Sequence, residues 1–295
     1  MHEFTVGDES VTLRCCGKPR RVVYLHEIQD DGEAVWRRCV ELGCGDFALA
    51  CIRIPASQWN DVLTPWECPG IFADDAPFAG CAKEQLALLM DEIVPKTERL
   101  LVSLHDGEAA WASGVAPHGG ERIETDDEAE RASGSDLRGD ESARADGDAR
   151  HGQAARHEDV ARGEHAAQRE GIVPCRVLAG YSLAGLFAVW TAFQTSAFSR
   201  IASASGSLWY PGFDEFAEAR PFKRQPECAY FSLGTKEART PSRLLRRVAE
   251  GTDAVVAAFQ ERGVETAFEK NPGNHFKEPD LRMAKGIAWV LRGRP

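Results

Sequence analysis

Gly180-Tyr181-Ser182-Leu183-Ala184-Gly185 is the stretch on which the reading of this chain turns. A short apolar run, 176–179 (RVLA), precedes it, and an apolar stretch from 183 to 193 follows it. A buried strand, a sharp turn with serine at its apex and then a helix make the arrangement called a nucleophile elbow. The turn strains the serine backbone, so the positions two before and two after it must be small. Gly180 meets that need outright; Ala184 meets it in relaxed form, with glycine delayed to Gly185. The helix after the turn aims its first amides and its dipole at the space beside the hydroxyl, where an oxyanion would form. The Leu183 amide is the expected first donor.

An acyl-transfer serine needs a general base, and the base needs a carboxylate to orient it. In α/β-hydrolases the three follow in the order Ser, acid, His. One histidine follows Ser182 in the chain: His275, in Asn271-Pro272-Gly273-Asn274-His275-Phe276, between a strand-like run at 265–269 and a final helix. For the acid, Glu237 lies just past the apolar run 229–231, in 232–237 (SLGTKE), at the end of a strand after the elbow. Asp253 falls inside an expected helix at 241–262 and faces solvent. Asp280 follows the histidine and breaks the order, and Asp214 and Glu215 come earlier, in a loop or short helix. Glu237 is therefore the expected acid, against the plainer reading of a solvated loop carboxylate.

At these residues the chain resembles a family. GYSLAGLFA at 180–188, ASGSLWYPGF at 204–213 and NHF at 274–276 are similar to the esterase D-like family of α/β-hydrolases, which includes bacterial siderophore esterases. NDVLTPW at 60–66, DEIVP at 91–95 and FKEPDLRMAKGI at 276–287 resemble it too, so the likeness covers most of 20–104 and 172–292. The motifs are specific together and weak singly. The resemblance implies carboxylic-ester hydrolysis, with Ser182 as nucleophile and His275 as base. At 233–237 it implies Glu237 as the acid, in agreement with position.

The remainder is consistent with one α/β domain over 1–295. Strands are expected at 3–6, 10–14, 22–25, 47–54, 200–204 and 229–233, the inner ones short and apolar without alternation, as in a parallel sheet buried on both faces. Helices are expected at 33–42, 82–97 and 280–291, each with an apolar stripe at helical spacing. Strands alternating with helices give the α/β-hydrolase fold: a doubly wound, mostly parallel sheet with helices on both faces. Residues 105–170 break the rhythm. They carry 17 acidic residues and 8 Arg with no Lys, so they supply −9 of the net charge of −11. That acidic, Ala/Gly/Arg-rich insertion reads as a disordered loop or as a mobile lid.

No basic stripe points to nucleic acid, and no apolar run is long enough to span a membrane. The histidines and nine cysteines lack metal-ligand spacing, so neither metal nor cofactor is expected. Scattered thiols and an N-terminus without a signal peptide read as cytoplasmic. The second oxyanion donor should follow the strand at 22–25, at the amide of Glu27 or Ile28. His26 reads as a packed residue at a strand end. Trp209, Tyr210, Trp66 and Trp59 either wall a pocket for an aryl or siderophore-type ester or pack loops onto the core. Arg53 either steers an anionic substrate or pairs with an acid. The expected activity is serine ester hydrolysis of a small molecule. An acyltransferase with the same triad and a catalytically silent binding module are the alternatives, and oligomeric state is left open.

Overall fold

The computed structural model describes residues 1–15, 19–28, 30–72, 74–112 and 175–292. Beyond Ala112, the expected acidic insertion lies outside the described residues. The chain divides into two compact units, residues 1–100 with 173–295, and residues 101–172. The larger unit holds the sheet and the site.

Eight strands, β1 (His2–Val6), β2 (Glu9–Cys15), β3 (Arg21–Glu27), β4 (Phe47–Arg53), β5 (Cys175–Tyr181), β6 (Arg200–Ala204), β7 (Cys228–Gly234) and β8 (Glu265–Asn271), form one sheet in the order 1-2-4-3-5-6-7-8. β1 and β2 join through a tight turn at Gly7, where φ is 55°, and both pairings of β2 are antiparallel. The pairings from β4 onward are parallel. The interior of β3, β4 and β5 is buried, which is why those strands read as unbroken apolar runs rather than alternating ones.

Side-chain alternation sends residues of one strand to both faces. Val23, Leu25, Val177, Ala179, Ala202 and Ala204 face one layer, made by α1 (Glu33–Glu41) and the C-terminal helix. That layer contributes Val35, Cys39, Met283, Ala284, Ile287 and Val290 to a single core cluster. Between β4 and β5 lie α2 (Trp59–Val62), then α3 (Ala82–Leu88), a π turn (Leu89–Ile93) and α4 (Val94–Ala112). The π turn falls just ahead of Pro95, which has no amide to donate. The helix expected at 82–97 thus runs on to Ala112, into the range assigned to the insertion.

After the elbow come α5 (Leu183–Thr191), buried over its whole length, α6 (Phe213–Ala219), α7 (Val248–Glu261) and α8 (Pro279–Arg292). The helix expected from 241 starts later, at Val248, behind a 3-10 turn at Leu245–Arg247. Ahead of it, Thr240 and Leu245 line the cavity onto which Ser182 opens. Strand order reverses between β3 and β5, so a crevice opens at the carboxyl ends of the central strands, where open α/β sheets bind ligands. Among the described residues no helix is long and apolar enough to cross a membrane.

Candidate active site

Ser182 sits between β5 and α5 with φ 57° and ψ −123°, a conformation L side chains rarely adopt. The glycines around it answer to contact. A Cβ on Gly180 would stand 2.2 Å from the carbonyl carbon of Ala184, and one on Gly185 would stand 2.8 Å from Ser203 Oγ and 2.9 Å from Gly206 Cα. Helix α5 therefore lies directly against the strand it leaves. The Leu183 amide is the first of that helix, and among the described residues no hydrogen bond engages it.

Ser205, just past β6, also has positive φ, 47°. The Ser207 amide donates to the Ser182 carbonyl at 2.9 Å, and the hydroxyls of Ser207 and Ser182 lie 3.3 Å apart. Among the described residues no hydrogen bond joins Ser182 Oγ to His275; the hydroxyl pairs with Ser207 instead.

His275 Nδ1 donates to Glu237 Oε2 at 2.8 Å, leaving Nε2 as the other ring nitrogen. The Glu237 side chain is 3% exposed and that of His275 30%. Glu237 Oε1 accepts from the Gly234 amide at 2.6 Å, Ser205 Oγ at 2.8 Å and Arg282 Nη1 at 3.1 Å. Burial pushes the Glu237 carboxyl up, but hydrogen bonds from His275, Ser205 and Gly234 outweigh it, so the carboxyl is held below its usual value.

Arg282 is itself buried, at 2% exposure, and also donates to Ser205 Oγ, Tyr181 Oη and the Pro272 carbonyl. The Tyr181 hydroxyl in turn donates to the His275 carbonyl at 2.5 Å. One guanidinium on α8 thus joins the strand before the serine, the acid and the loop of the histidine.

Ser182, Leu183, Glu237 and His275 line one cavity of about 450 Å³. Trp59, Phe78, Trp209 and Phe276 form its aromatic walls. The other sequence candidates lie elsewhere. Tyr210 donates to the Trp66 carbonyl at 2.6 Å and Trp66 Nε1 to the Pro211 carbonyl at 3.1 Å. The Trp66 ring packs on Tyr210, Phe213 and Phe216, so both aromatics lock loops together rather than wall the cavity. Arg53 binds Ser10 Oγ at 2.8 Å and, with Ile28, lines a separate depression around Ser10 and Pro55.

Glu27 ends β3 one residue beyond His26, which is level with Gly180 of β5. Its side chain is not among those lining the cavity, and burial with Asp30 and Asp280 nearby pushes its carboxyl up to about 8. His26 is packed edge-on against Phe187, 5.0 Å between centroids, and burial lowers it to about 3, so it is neutral. Ser205, Ser207 and Arg282 had no role in the sequence reading. Among the described residues no cluster of His, Cys, Asp and Glu is arranged to hold a metal.

No family model matches the chain. An uncharacterized protein, YbbA of Bacillus subtilis, is 26% identical over 121 residues, which is 39% of this chain and 48% of that protein. The chain thus matches about half the length of this curated relative. Solved structures match over nearly all of it. The siderophore hydrolase EstA of Aspergillus nidulans superposes with a TM-score of 0.55 at 13% identity, covering 99% of this chain and 93% of that one. An IroE-like serine hydrolase of Shewanella oneidensis gives 0.61 at 13% identity over 96% and 76%. The enterobactin esterase FES of Shigella flexneri, solved in the presence of 2,3-dihydroxy-N-benzoyl-glycine, gives 0.53 at 14% identity over 96% and 55%. At such identities the likeness speaks for architecture, and with the strand order and elbow described above it means that this chain has the α/β-hydrolase fold.

Proposed function

We infer that the protein is a serine esterase that cleaves carboxylic esters of small molecules through an acyl-enzyme on Ser182. The observation that carries this is the shared cavity: a serine held in strained backbone at an elbow, opening onto the same space as a histidine bonded at 2.8 Å to a buried carboxylate.

Substrate entry displaces the Ser207 hydroxyl from Ser182 Oγ, and His275 Nε2 takes the serine proton as the oxygen attacks the ester carbonyl. Glu237 Oε2 keeps the proton on Nδ1 and steadies the imidazolium. The Leu183 amide receives the oxyanion; the amide at Glu27 or Ile28, where β3 ends beside β5, is the second donor in this reading. The alcohol leaves with the proton from Nε2, and water repeats the sequence to free the acid and Ser182.

The aromatic walls suit aryl or siderophore-type esters, and the siderophore and enterobactin hydrolases of the same fold support that class.

The test is labelling with a fluorophosphonate probe read by intact mass, on wild type and Ser182→Ala, with and without a short-chain aryl ester. One adduct on wild type alone, suppressed by the ester, is expected. An adduct retained by the variant, or no adduct on folded wild type, overturns the assignment.

A further inference from the structure

The fully charged side chains that line the cavity are Glu237, Lys236 and Arg239. Glu237 is engaged: its two oxygens take His275, Ser205, Gly234 and Arg282. Lys236 and Arg239 are exposed, and among the described residues neither side chain makes an ion pair or hydrogen bond. The cations set deeper in the fold are paired, Arg14 with Asp31, Arg176 with Glu98, Arg200 with Glu227 and Arg282 with Glu237. Unpaired exposed cations are ordinary on a surface. These two differ in lining the cavity onto which the serine opens, in an acidic chain of net charge −11.

Their position is fixed although their side chains are free. The Thr235 amide donates to the Asn271 carbonyl at 2.8 Å, the Lys236 amide to the Gly273 carbonyl at 2.9 Å and the Arg239 amide to the Lys236 carbonyl at 3.0 Å. The turn that carries both cations is thereby stitched to the loop that carries His275. With the cavity carboxylate neutralised by Arg282 and its other walls largely apolar, the mouth presents two positive charges to whatever enters.

We propose that Lys236 and Arg239 select esters bearing an anionic group, a carboxylate, phosphate or sulfonate that faces them while the ester carbonyl lies at Ser182. This deepens the esterase reading and rests on it.

Two matched substrate pairs test it. One places the charge on the acyl side, as 4-nitrophenyl monoadipate against 4-nitrophenyl hexanoate. The other places it on the alcohol side, as 4-carboxyphenyl butyrate against 4-carbamoylphenyl butyrate. Wild type is expected to favour the anionic member of at least one pair by about tenfold in kcat/KM, the sum of two water-exposed ion pairs. That ratio should fall towards one in Lys236→Gln/Arg239→Gln and shrink as sodium chloride is raised. Absence of a preference in both pairs, or a preference that the double variant and salt leave in place, overturns the inference. Fluorophosphonate labelling of Ser182 separates the two levels: label without charge discrimination removes this inference alone, whereas no label and no turnover removes the esterase reading with it.

Discussion

Glu237 divides its work between two oxygens. Oε2 meets His275, while Oε1 is fixed by three donors, from Gly234, Ser205 and Arg282. Glu237→Gln should therefore fold but present an amide where the imidazole or the guanidinium needs an acceptor. The expected loss in kcat is about 10²- to 10⁴-fold on an aryl ester, measured at fixed pH. Arg282→Met leaves the buried carboxylate without its cation. It should cost about 3–5 kcal/mol in urea unfolding, because an uncompensated charge at such burial is worse than no charge. Adding Glu237→Gln to Arg282→Met should recover much of that loss, and a strictly additive double variant would contradict the pairing. The pH dependence has a definite sign. A carboxyl held below 4.5 in the fold stabilises fully above the unfolded value, and that contribution disappears as pH falls below about 4.5. The acid limb of the stability curve should accordingly be shallower in Glu237→Gln than in wild type.

Elements explain which parts of the site the sequence disclosed. The elbow was legible because its demand is local: Gly180 and Gly185 are small since α5 and the β6 loop touch them within 3 Å of where a Cβ would stand. Gly180→Ala should destabilise by about 1–3 kcal/mol or more, as overpacking does. Ala184→Gly removes the opposing side chain and should cost only about 1 kcal/mol of helix propensity; thermal unfolding of the two variants distinguishes them. The strands were legible too, since a parallel sheet buried on both faces writes continuous apolar runs. Arg282 was not. An arginine on an amphipathic helix reads as solvent-facing, and its burial is set by partners 45 and 101 residues away. For Trp66 and Tyr210 the sequence left two readings open for a related reason: an aromatic on a loop serves a pocket or a packing contact equally well, and only their hydrogen bonds and ring contact decide for packing. Arg53 ends β4 at the same end of the sheet, but its side chain is held by Ser10 at another depression. Register locates a strand end without saying which way its side chain points.

At the scale of the molecule, the antiparallel side of the sheet carries a second set of buried ionisable groups, different in kind from those that line the Ser182 cavity. Glu9 on β2 is 3% exposed, and its Oε2 has no partner among the described residues. Gln85 on α3 meets both Glu9 and the neutral His26. Burial pushes the Glu9 carboxyl up to about 7, the Gln85 hydrogen bond opposing it only in part. The folded state then holds a proton that the unfolded chain releases near 4.5. Between those values stability falls as pH rises, and above about 7 the whole penalty, about 3 kcal/mol, is in force. Glu237 acts in the other direction, so the fold is squeezed from below by one carboxyl and from above by the other. Glu9→Gln keeps the side-chain shape and removes the titration. It should raise stability in urea by about 1–3 kcal/mol at pH 8 while changing it little at pH 5. A gain of the same size at both pH values would mean that packing, not the buried proton, limits the fold at Glu9.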